Sequence, residues 1–144
     1  NIKKVFKISN EAKLHLHSGY NYVNSINKSS ILTSDNSIGR QLIYVPKHTF
    51  NIIAKLEFKK WSFAYNQTVT GKVFIDATNT TYMPYYVPAD ISISYSLKKD
   101  MKSTDIGVKI SNLYNEDYQI MANRPMPGRW FLLFLKVNLN APNE

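Results

Sequence analysis

Hydrophobic and polar residues alternate along most of this chain with a period of two. In the segment 90–98, isoleucine, tyrosine and leucine fill every second position, with serine and lysine between them. The segments 49–58, 61–73, 12–22 and 131–139 repeat this pattern. Because successive side chains of a strand point to opposite faces, the alternation predicts strands between an apolar and a polar environment. No segment has a convincing helical period, so the sequence predicts an all-β fold.

The connections between the predicted strands alternate between short and long. Short turns are expected at Ser9-Asn10, at Lys59-Lys60 and at residues 99–104, and long loops occupy the other connections. An up-and-down meander would place all short turns at one rim and all long loops at the other, as outer-membrane barrels do. Strands near 10 residues also suit a tilted crossing of a bilayer. We therefore predict an antiparallel meander of about seven strands, part of a transmembrane β-barrel, near residues 2–8, 11–24, 47–58, 61–75, 88–99, 104–113 and 129–139.

The same alternation predicts which side chains share a face. One set is expected to point to lipid: Phe50, Ile52, Leu56, Ile91, Ile93, Tyr95, Phe131, Leu133 and Leu135. The other set is expected to point to a wet lumen: Asn51, Lys55, Ser92, Ser94, Lys109 and Lys136. Aromatic residues collect near strand ends, as interfacial girdles do, at Phe58, Trp61, Tyr20 and Tyr22. A soluble barrel or β-sandwich alternates in the same way with its apolar face turned inward, and the pattern leaves that alternative open.

Composition narrows the classes of protein that fit. The chain is 44% hydrophobic with 5 Gly and 6 Pro, which argues against disorder, and it has no cysteine for disulfides or thiolate metal sites. Its longest apolar run, Trp130 to Leu135, is far shorter than the roughly 20 residues of a membrane-spanning helix. The formal charge is +8, but the lysines are spread over nearly every segment, so no nucleic-acid partner is predicted.

Candidate chemistry is sparse. His15 and His17 share one strand face, but no third ligand of suitable type is near in sequence, so neither a metal nor a cofactor is predicted. The carboxylates lie in loops or turns without a Ser-His or paired-carboxylate pattern. The sequence therefore predicts that this protein is not an enzyme.

Three segments, in order along the chain, resemble the TonB-dependent receptor family. Residues 112–129 contain NLYN, YQ and NRPMPGR, similar to the final hairpin of that family. Residues 44–48 read YVPKH and resemble its Pro-x-His turn. Residues 70–72 read TGK and are followed at 82–86 by YMPYY, similar to its Gly-Lys strand end and Tyr-x-Pro-x-Tyr loop. Independently of the resemblance, the asparagines of NLYN, Asn112 and Asn115, are expected to cap turn backbone with their side chains.

The resemblance implies a barrel of about 22 strands, plugged by an N-terminal domain and energised by the TonB complex. Such a receptor imports a scarce nutrient, either a metal-siderophore complex or cobalamin, across the bacterial outer membrane. Residues 1–144 would form the C-terminal part of the barrel, without the plug. The implied partners are the remaining barrel strands and plug of the same receptor, membrane lipid, the TonB complex through the plug, and a surface lipoprotein. Substrate contacts are expected from loop residues: Tyr44, His48, Tyr82, Tyr85, Tyr86, Arg124 and Arg129.

Two features bear on whether residues 1–144 contain the whole barrel. The family usually ends on an aromatic residue, whereas Leu139 is followed here by residues 140–144. An open seven-strand sheet leaves unpaired backbone groups on both outer strands, which is costly in hydrocarbon. We therefore expect both outer strands to pair with protein outside this sequence. Two other functions stay open: a soluble lipocalin-like barrel that binds a small ligand, and a passive structural or adhesive outer-membrane barrel.

Overall fold

The computed structural model describes residues 1–99 and 102–139, and every regular element in them is a β-strand. Seven long strands form one sheet: β1 (Ile2–Lys7), β2 (Ala12–Tyr22), β3 (His48–Phe58), β4 (Trp61–Thr70), β7 (Ala89–Lys99), β8 (Lys102–Ser111) and β11 (Trp130–Leu139). Four short strands lie in the loops: β5 (Val73–Phe74), β6 (Tyr82–Met83), β9 (Gln119–Met121) and β10 (Arg124–Pro125). In the described part of the chain, no helix has the length and apolarity needed to cross a membrane.

The long strands form the predicted antiparallel meander. Their order in the sheet is β1-β2-β3-β4-β7-β8-β11, and each pairs only with its neighbours. The β5–β6 hairpin lies in the second long loop and the β9–β10 hairpin in the third. The tight turns at Ser9-Asn10 and Lys59-Lys60 are confirmed. Strand β7 ends at Lys99 as predicted, whereas β8 begins at Lys102, two residues earlier than predicted. Asp100, Met101 and the tail 140–144 lie outside the described residues.

The fourth predicted strand ends too late. It was expected to continue to residue 75, but β4 ends at Thr70. Gly71 N–H donates to the His48 carbonyl (2.9 Å), and the next residues pair with β6 instead. Further pairing along β3 would soon meet Pro46, which has no N–H to donate.

The residue pairs across neighbouring strands show which side chains share each of the two faces of the sheet. Residues directly opposite each other share a face, and the pairs Phe63–Ile93, Ile93–Val108 and Val108–Leu133 run across four strands. We call their side the apolar face. The polar face holds the alternating positions, such as Ser62–Ser94 and Lys55–Ala64. Every residue of the two predicted sets lies on the face expected for its set.

The apolar face is not covered by any other part of the described chain. Ile93 is 37% exposed and Leu133 is 80% exposed, so the two do not meet in a dry core. The buried hydrophobic residues within 1–99 and 102–139 are few and mostly small: Ala12, Val73, Met83 and Ala89. An exposed apolar surface of this extent marks a membrane or protein interaction surface.

Aromatic side chains mark both ends of the apolar face. Near the short turns, the rings of Trp61 and Tyr95 contact edge to face, with centroids 4.9 Å apart. Near the loops, the Tyr22 ring lies 5.2 Å from His48, and Tyr20 Oη hydrogen bonds to His48 Nδ1 at 2.8 Å. Rings with an apolar flank and a polar tip suit the two interfaces of a bilayer.

On each face, some side chains differ in polarity from their neighbours. On β1, Lys4 is opposite Leu16 and therefore lies on the apolar face. On β11, Leu132 and Phe134 are opposite Lys109 and Gly107 and therefore lie on the polar face. Strand β11 is thus apolar on both faces over much of its length.

Candidate functional site

The three long loops leave the sheet at the same rim because the strands alternate in direction. They span residues 23–47, 71–88 and 112–129, and we call them the first, second and third loops. The short turns lie at the opposite rim. Most of the irregular chain therefore lies at the loop rim. In many proteins built on a sheet, the binding residues lie in such loops.

The first and second loops are joined by a reciprocal pair of hydrogen bonds. Gln41 N–H donates to Asn79 Oδ1 (2.8 Å), and Asn79 Nδ2 donates to the Gln41 carbonyl (2.9 Å). Asn79 adopts a left-handed φ of 60°, which asparagine tolerates better than most residues. A backbone bond from Tyr44 N–H to the Phe74 carbonyl (2.9 Å) adds a second link.

Asp76 organises the second loop from within. Its carboxylate accepts hydrogen bonds from the backbone N–H groups of Thr78 (3.1 Å), Thr80 (3.1 Å) and Thr81 (2.5 Å). The hydroxyls of Thr78 and Thr80 also donate to it. These bonds, led by that from the Thr78 side chain, hold the pKa of Asp76 well below its ordinary value of 3.8. The charged carboxylate therefore holds the loop that presents β6.

Glu116 joins the second loop to the third. Both of its carboxylate oxygens accept from the Val87 N–H, at 3.1 and 2.9 Å. Asn112 fixes the backbone of Glu116 from both sides, because Asn112 Oδ1 accepts from the Glu116 N–H (2.9 Å) and Asn112 Nδ2 donates to the Glu116 carbonyl (2.8 Å). Asn112 is only 4% exposed and has φ 51°. The expected turn-capping role of Asn112 is confirmed.

Asn115 has the same kind of role at the end of the third loop. Its Oδ1 accepts from the Arg129 N–H at 2.8 Å, one residue before β11 begins. A Cβ on Gly128 would lie 2.9 Å from that oxygen, so glycine leaves room for the capping bond. The Asn112 amide also donates to the Pro127 carbonyl at 3.2 Å. The NLYN and PMPGR segments are therefore a turn-forming unit, as their composition predicted.

A tyrosine-rich pocket lies between the second and third loops, with a volume of about 240 Å³. The Tyr86 and Tyr118 rings stack on its wall with centroids 4.9 Å apart. Burial, followed by the nearby Tyr86, Asp90 and Glu116, raises the pKa of Tyr118, so its phenol stays neutral at ordinary pH. The lining residues, which include the single carboxylate Asp117, are Tyr82, Met83, Pro84, Tyr85, Tyr86, Asp117, Tyr118 and Gln119.

The ammonium group of Lys72 lies over the ring of Tyr82, which is one of the pocket residues. Lys72 Nζ is 5.4 Å from the centroid of Phe74 and 5.0 Å from that of Tyr82. Contacts of this length are within the range of cation–π attraction. The pocket thus offers aromatic faces and phenol hydroxyls, with the Asp117 carboxylate in its lining and the Lys72 ammonium group over one of its rings. Such a lining suits a ligand with planar rings and hydrogen-bonding oxygens.

The predicted contact residues separate into two groups. Tyr82, Tyr85 and Tyr86 line the pocket together. The other four lie elsewhere on the rim. His48 is on the apolar face against Tyr20, and the remaining three, Tyr44, Arg124 and Arg129, lie outside the pocket lining.

Sequence reasoning missed Asp117, Tyr118 and Gln119 as pocket residues. The pair Tyr118-Gln119 was recognised as part of a family segment, but its contact with Tyr86 depends on how two separate loops pack. The described residues contain no group of three or more His, Cys, Asp or Glu side chains placed to hold an ion.

The meander, its exposed apolar face and its one-sided loops define a segment of an outer-membrane type of β-barrel. The family model described as "TonB dependent receptor-like, beta-barrel" matches residues 6–113, and the chain belongs to this family. The predicted family is therefore confirmed. The match ends before the PMPGR segment of the third loop.

Solved structures agree with this assignment of the fold. The chain is similar to BauA, the ferric preacinetobactin receptor from Acinetobacter baumannii, with a TM-score of 0.71 and 20% sequence identity. The similarity covers 94% of this chain and 20% of BauA, so the sequence spans about one-fifth of that receptor. A comparison with curated protein sequences found no match.

Proposed function

We propose that this chain is the C-terminal part of the barrel of a TonB-dependent receptor that imports a scarce nutrient across the bacterial outer membrane. The observation that carries the proposal is the uncovered apolar face, with Leu133 80% exposed, bounded by aromatic rows at both ends. In this proposal the apolar face contacts lipid and the polar face lines the lumen. The chain supplies barrel wall and extracellular loops and has no catalytic role.

The remaining barrel strands and the plug belong to the same receptor in this proposal. Strands β1 and β11 each have one unpaired edge in the described sheet. An unpaired edge in hydrocarbon leaves backbone groups without partners, at several kcal/mol for each group. We expect β11 to pair with the first barrel strand of the receptor and β1 with the strand that precedes it. Energy would reach the receptor from the TonB complex through the plug.

The tyrosine-rich pocket is the proposed first contact for the nutrient. Its rings and hydroxyls suit a metal chelate with planar groups, and BauA, which shares the fold, is a receptor for a ferric compound. A ferric siderophore is therefore the favoured nutrient, with cobalamin as the second. A surface lipoprotein remains a further proposed partner at the loop rim.

Uptake by the complete receptor tests the proposal. In cells deleted for their own siderophore receptors, expression should restore uptake of ⁵⁵Fe from at least one ferric siderophore of a panel, and only when TonB is present. Tyr86→Ala with Tyr118→Ala should weaken binding at least about tenfold, since stacking on an aromatic ring contributes roughly 1–3 kcal/mol to recognition of a planar group. Tyr114→Ala is the matched control, because Tyr114 lies outside the pocket and bonds Tyr65 (3.1 Å).

Each competing function predicts a different result. Uptake of labelled cobalamin alone would replace the siderophore with the second nutrient. Receptor that assembles in the outer membrane but transports nothing in a TonB-dependent manner would favour a passive barrel. A monomer that stays soluble without detergent would favour the lipocalin-like alternative and refute the membrane assignment.

A further inference from the structure

Half of the residues that line the tyrosine-rich pocket are tyrosines. Three come from the second loop and one from the third: Tyr82, Tyr85, Tyr86 and Tyr118. Two of them, Tyr86 and Tyr118, stack with their ring planes 25° apart and their centroids 4.9 Å apart. The face of an aromatic ring carries partial negative charge, so several rings around a small space attract a cation.

One carboxylate lies among these rings. Asp117 directly precedes Tyr118 and lines the same pocket. Within the described residues, no basic side chain lies within 4.0 Å of the Asp117 carboxylate, although the sequence has 18 Lys and Arg against 10 Asp and Glu. Three other carboxylates do pair with lysines: Glu57 with Lys55, Glu11 with Lys59 and Asp90 with Lys109. The carboxylate of Asp117 is therefore open to a cation from elsewhere.

The surroundings of Tyr118 also disfavour negative charge. Burial contributes most to the raised pKa of its phenol, and the nearby Tyr86, Asp90 and Glu116 raise that pKa further. Burial disfavours a charge of either sign, whereas the carboxylates of Asp90 and Glu116 disfavour only an anion. These two carboxylates would attract a cation in the pocket.

The volume of the pocket limits what it can hold. At about 240 Å³, it is smaller than the roughly 300–1,000 Å³ of pockets that enclose a drug-sized ligand. A complete metal chelate would therefore not fit inside. The pocket can take one substituent of a larger ligand and leave the metal-binding groups outside.

One ring of the pocket already has a cation of this chain over its face. Lys72 Nζ lies 5.0 Å from the centroid of Tyr82, within the range of cation–π attraction. Lys72 is not among the residues that line the pocket, so the space between the rings still lacks a cation. An anionic ligand would be attracted by Lys72 but repelled by Asp117, which is in the lining itself.

We propose that the tyrosine-rich pocket binds an organic cation, a protonated amine or a quaternary ammonium group, which the imported nutrient carries outside its metal-binding groups. The tyrosine rings would surround the cation, and Asp117 would neutralise it. The inference rests on the proposed function for the import of a ferric siderophore. It adds the charge of the part of the ligand that the loops recognise.

Two small probes of the same shape and different charge test the pocket without any siderophore. Choline carries a trimethylammonium group, and its neutral carbon analogue carries a tert-butyl group in the same place. Binding of each probe to the complete receptor in a non-ionic detergent is measured by calorimetry. Choline should bind at least about tenfold more tightly, which corresponds to about 1.4 kcal/mol. Equal affinities, or no saturable binding of choline, would overturn the proposal.

Asp117→Asn tests whether choline occupies this pocket. The substitution keeps the shape of the side chain and removes its charge. It should weaken choline binding about threefold or more, as expected for an exposed charge pair, and leave binding of the neutral analogue unchanged. Asp105→Asn is the matched control, because Asp105 lies on β8 opposite Ser96, near the short-turn rim, and should have no effect. Equal choline affinities in the two variants would contradict a role for Asp117.

Substitution of the stacked tyrosines tests the rings. Tyr86→Ala with Tyr118→Ala should weaken choline binding at least about tenfold, because two cation–π contacts are lost. Tyr86→Phe with Tyr118→Phe keeps both rings and should keep most of the affinity, which separates the loss of the rings from a disturbed loop. Choline binding that depends on the two hydroxyl groups and not on the rings would overturn the proposal.

Lys72→Gln separates a cationic ligand from an anionic one. Removal of the ammonium group over Tyr82 takes away a repelling charge, so choline binding should be unchanged or tighter. Weaker choline binding in this variant would count against the proposal.

The same distinction applies to the nutrient. Ferric siderophores that the receptor imports should carry a protonated or quaternary nitrogen outside the groups that hold iron. Where that nitrogen is an amine, its acetylation should weaken binding at least about tenfold. Import only of siderophores without such a nitrogen would overturn this inference and leave the proposed function standing. Choline binding that depends on Asp117, in a receptor that imports no siderophore, would support this inference and refute the proposed function.

Discussion

The ring of Phe134 on β11 fills the space above Gly107 on β8. A Cβ on Gly107 would lie 2.8 Å from Cε1 of Phe134 and 2.7 Å from the carbonyl oxygen of Ile93. The glycine therefore leaves room for an aromatic ring close to the backbone of the sheet, an arrangement that compensates for a missing side chain in a strand. It also explains how β11 carries a large apolar group on the polar face.

Gly107→Ala should destabilise the barrel by about 1–3 kcal/mol, because the added methyl group meets a backbone carbonyl that cannot rotate away. Reversible folding into lipid vesicles provides the measurement. Phe134→Leu in the same background should recover part of the loss, since it removes the ring but not the carbonyl. Equal effects of Gly107→Ala with and without Phe134 would contradict the packing described.

The assignment of the two faces can be tested by placing an arginine at each of two adjacent positions. Ile93 is two residues from Tyr95, between an aromatic row and the middle of the apolar face, so Ile93→Arg should cost part of the roughly 2–4 kcal/mol expected at the midplane, and Ser94→Arg much less. The two positions are neighbours on β7 and differ mainly in which face they occupy. The free energy of folding into vesicles should separate them clearly. Similar costs at both positions would mean that the apolar face does not contact lipid.

Lys4 allows the reverse substitution, the removal of a charge, because its side chain is a charged group on the apolar face. Lys4 is opposite Leu16 on β2. Leu16 is four residues from Ala12, which is opposite Phe58 at the short-turn end, and four residues from Tyr20 at the loop end. Lys4 is therefore about midway between the aromatic rows, where a lipid-facing lysine costs roughly 2–4 kcal/mol. Lys4→Leu should stabilise the complete receptor by up to about that amount, and Lys60→Leu at the turn should have little effect. A destabilised Lys4→Leu receptor would indicate that a carboxylate covers Lys4.

Asn112→Ala should destabilise the third loop by about 1–3 kcal/mol, because it removes the side-chain bonds to the backbone of Glu116. Asn112→Gly is the informative control, since glycine accepts the φ of 51° and lacks the same bonds. Amide exchange at Val87, which bonds the Glu116 carboxylate, should quicken in both variants. Unchanged exchange in Asn112→Gly would place the role of Asn112 in its backbone conformation alone.

Acid should loosen the second loop through Asp76. The pKa of Asp76 is lower in the folded loop than its ordinary 3.8, so the carboxylate stabilises the loop above pH 3.8. That contribution is lost as the pH falls below 3.8 towards the lower folded pKa. Amide exchange at Thr81, corrected for its intrinsic pH dependence, should quicken in this range. Asp76→Asn should show a flat profile, and protection of Thr81 that increases on acidification would contradict the hydrogen bonding described.

Much of the sheet was predictable because its signal is local. Alternation at positions such as Ile91 and Ile93 sets both the strand and its faces, and the turn at Lys59-Lys60 fixes the register of β3 with β4. The end of β4 was predicted too late because residues 71–75 continue the apolar alternation. Whether they pair with β3 or with β6 depends on contacts that the pattern does not contain.

The pocket was only half predictable for a related reason. Tyr82, Tyr85 and Tyr86 belong to one short segment and attract attention together. Tyr118 reaches Tyr86 because Glu116 bonds Val87 across two loops, and no spacing rule in the sequence expresses that bond. The position of Phe134 on the polar face was equally hidden, because the run from Trp130 to Leu135 has no polar residues to mark its second face.

The alternation of short turns and long loops also predicts the order in which the strands pair during folding. Strands joined by a few residues, such as β3 and β4, meet quickly because little chain entropy is lost in closing the turn. Three ribbons, β1–β2, β3–β4 and β7–β8, can therefore form before the loops bring them together. Strand β11 is separated from β8 by the 112–129 loop. We therefore expect β11 to pair with β8 more slowly than the strands within each ribbon pair with one another.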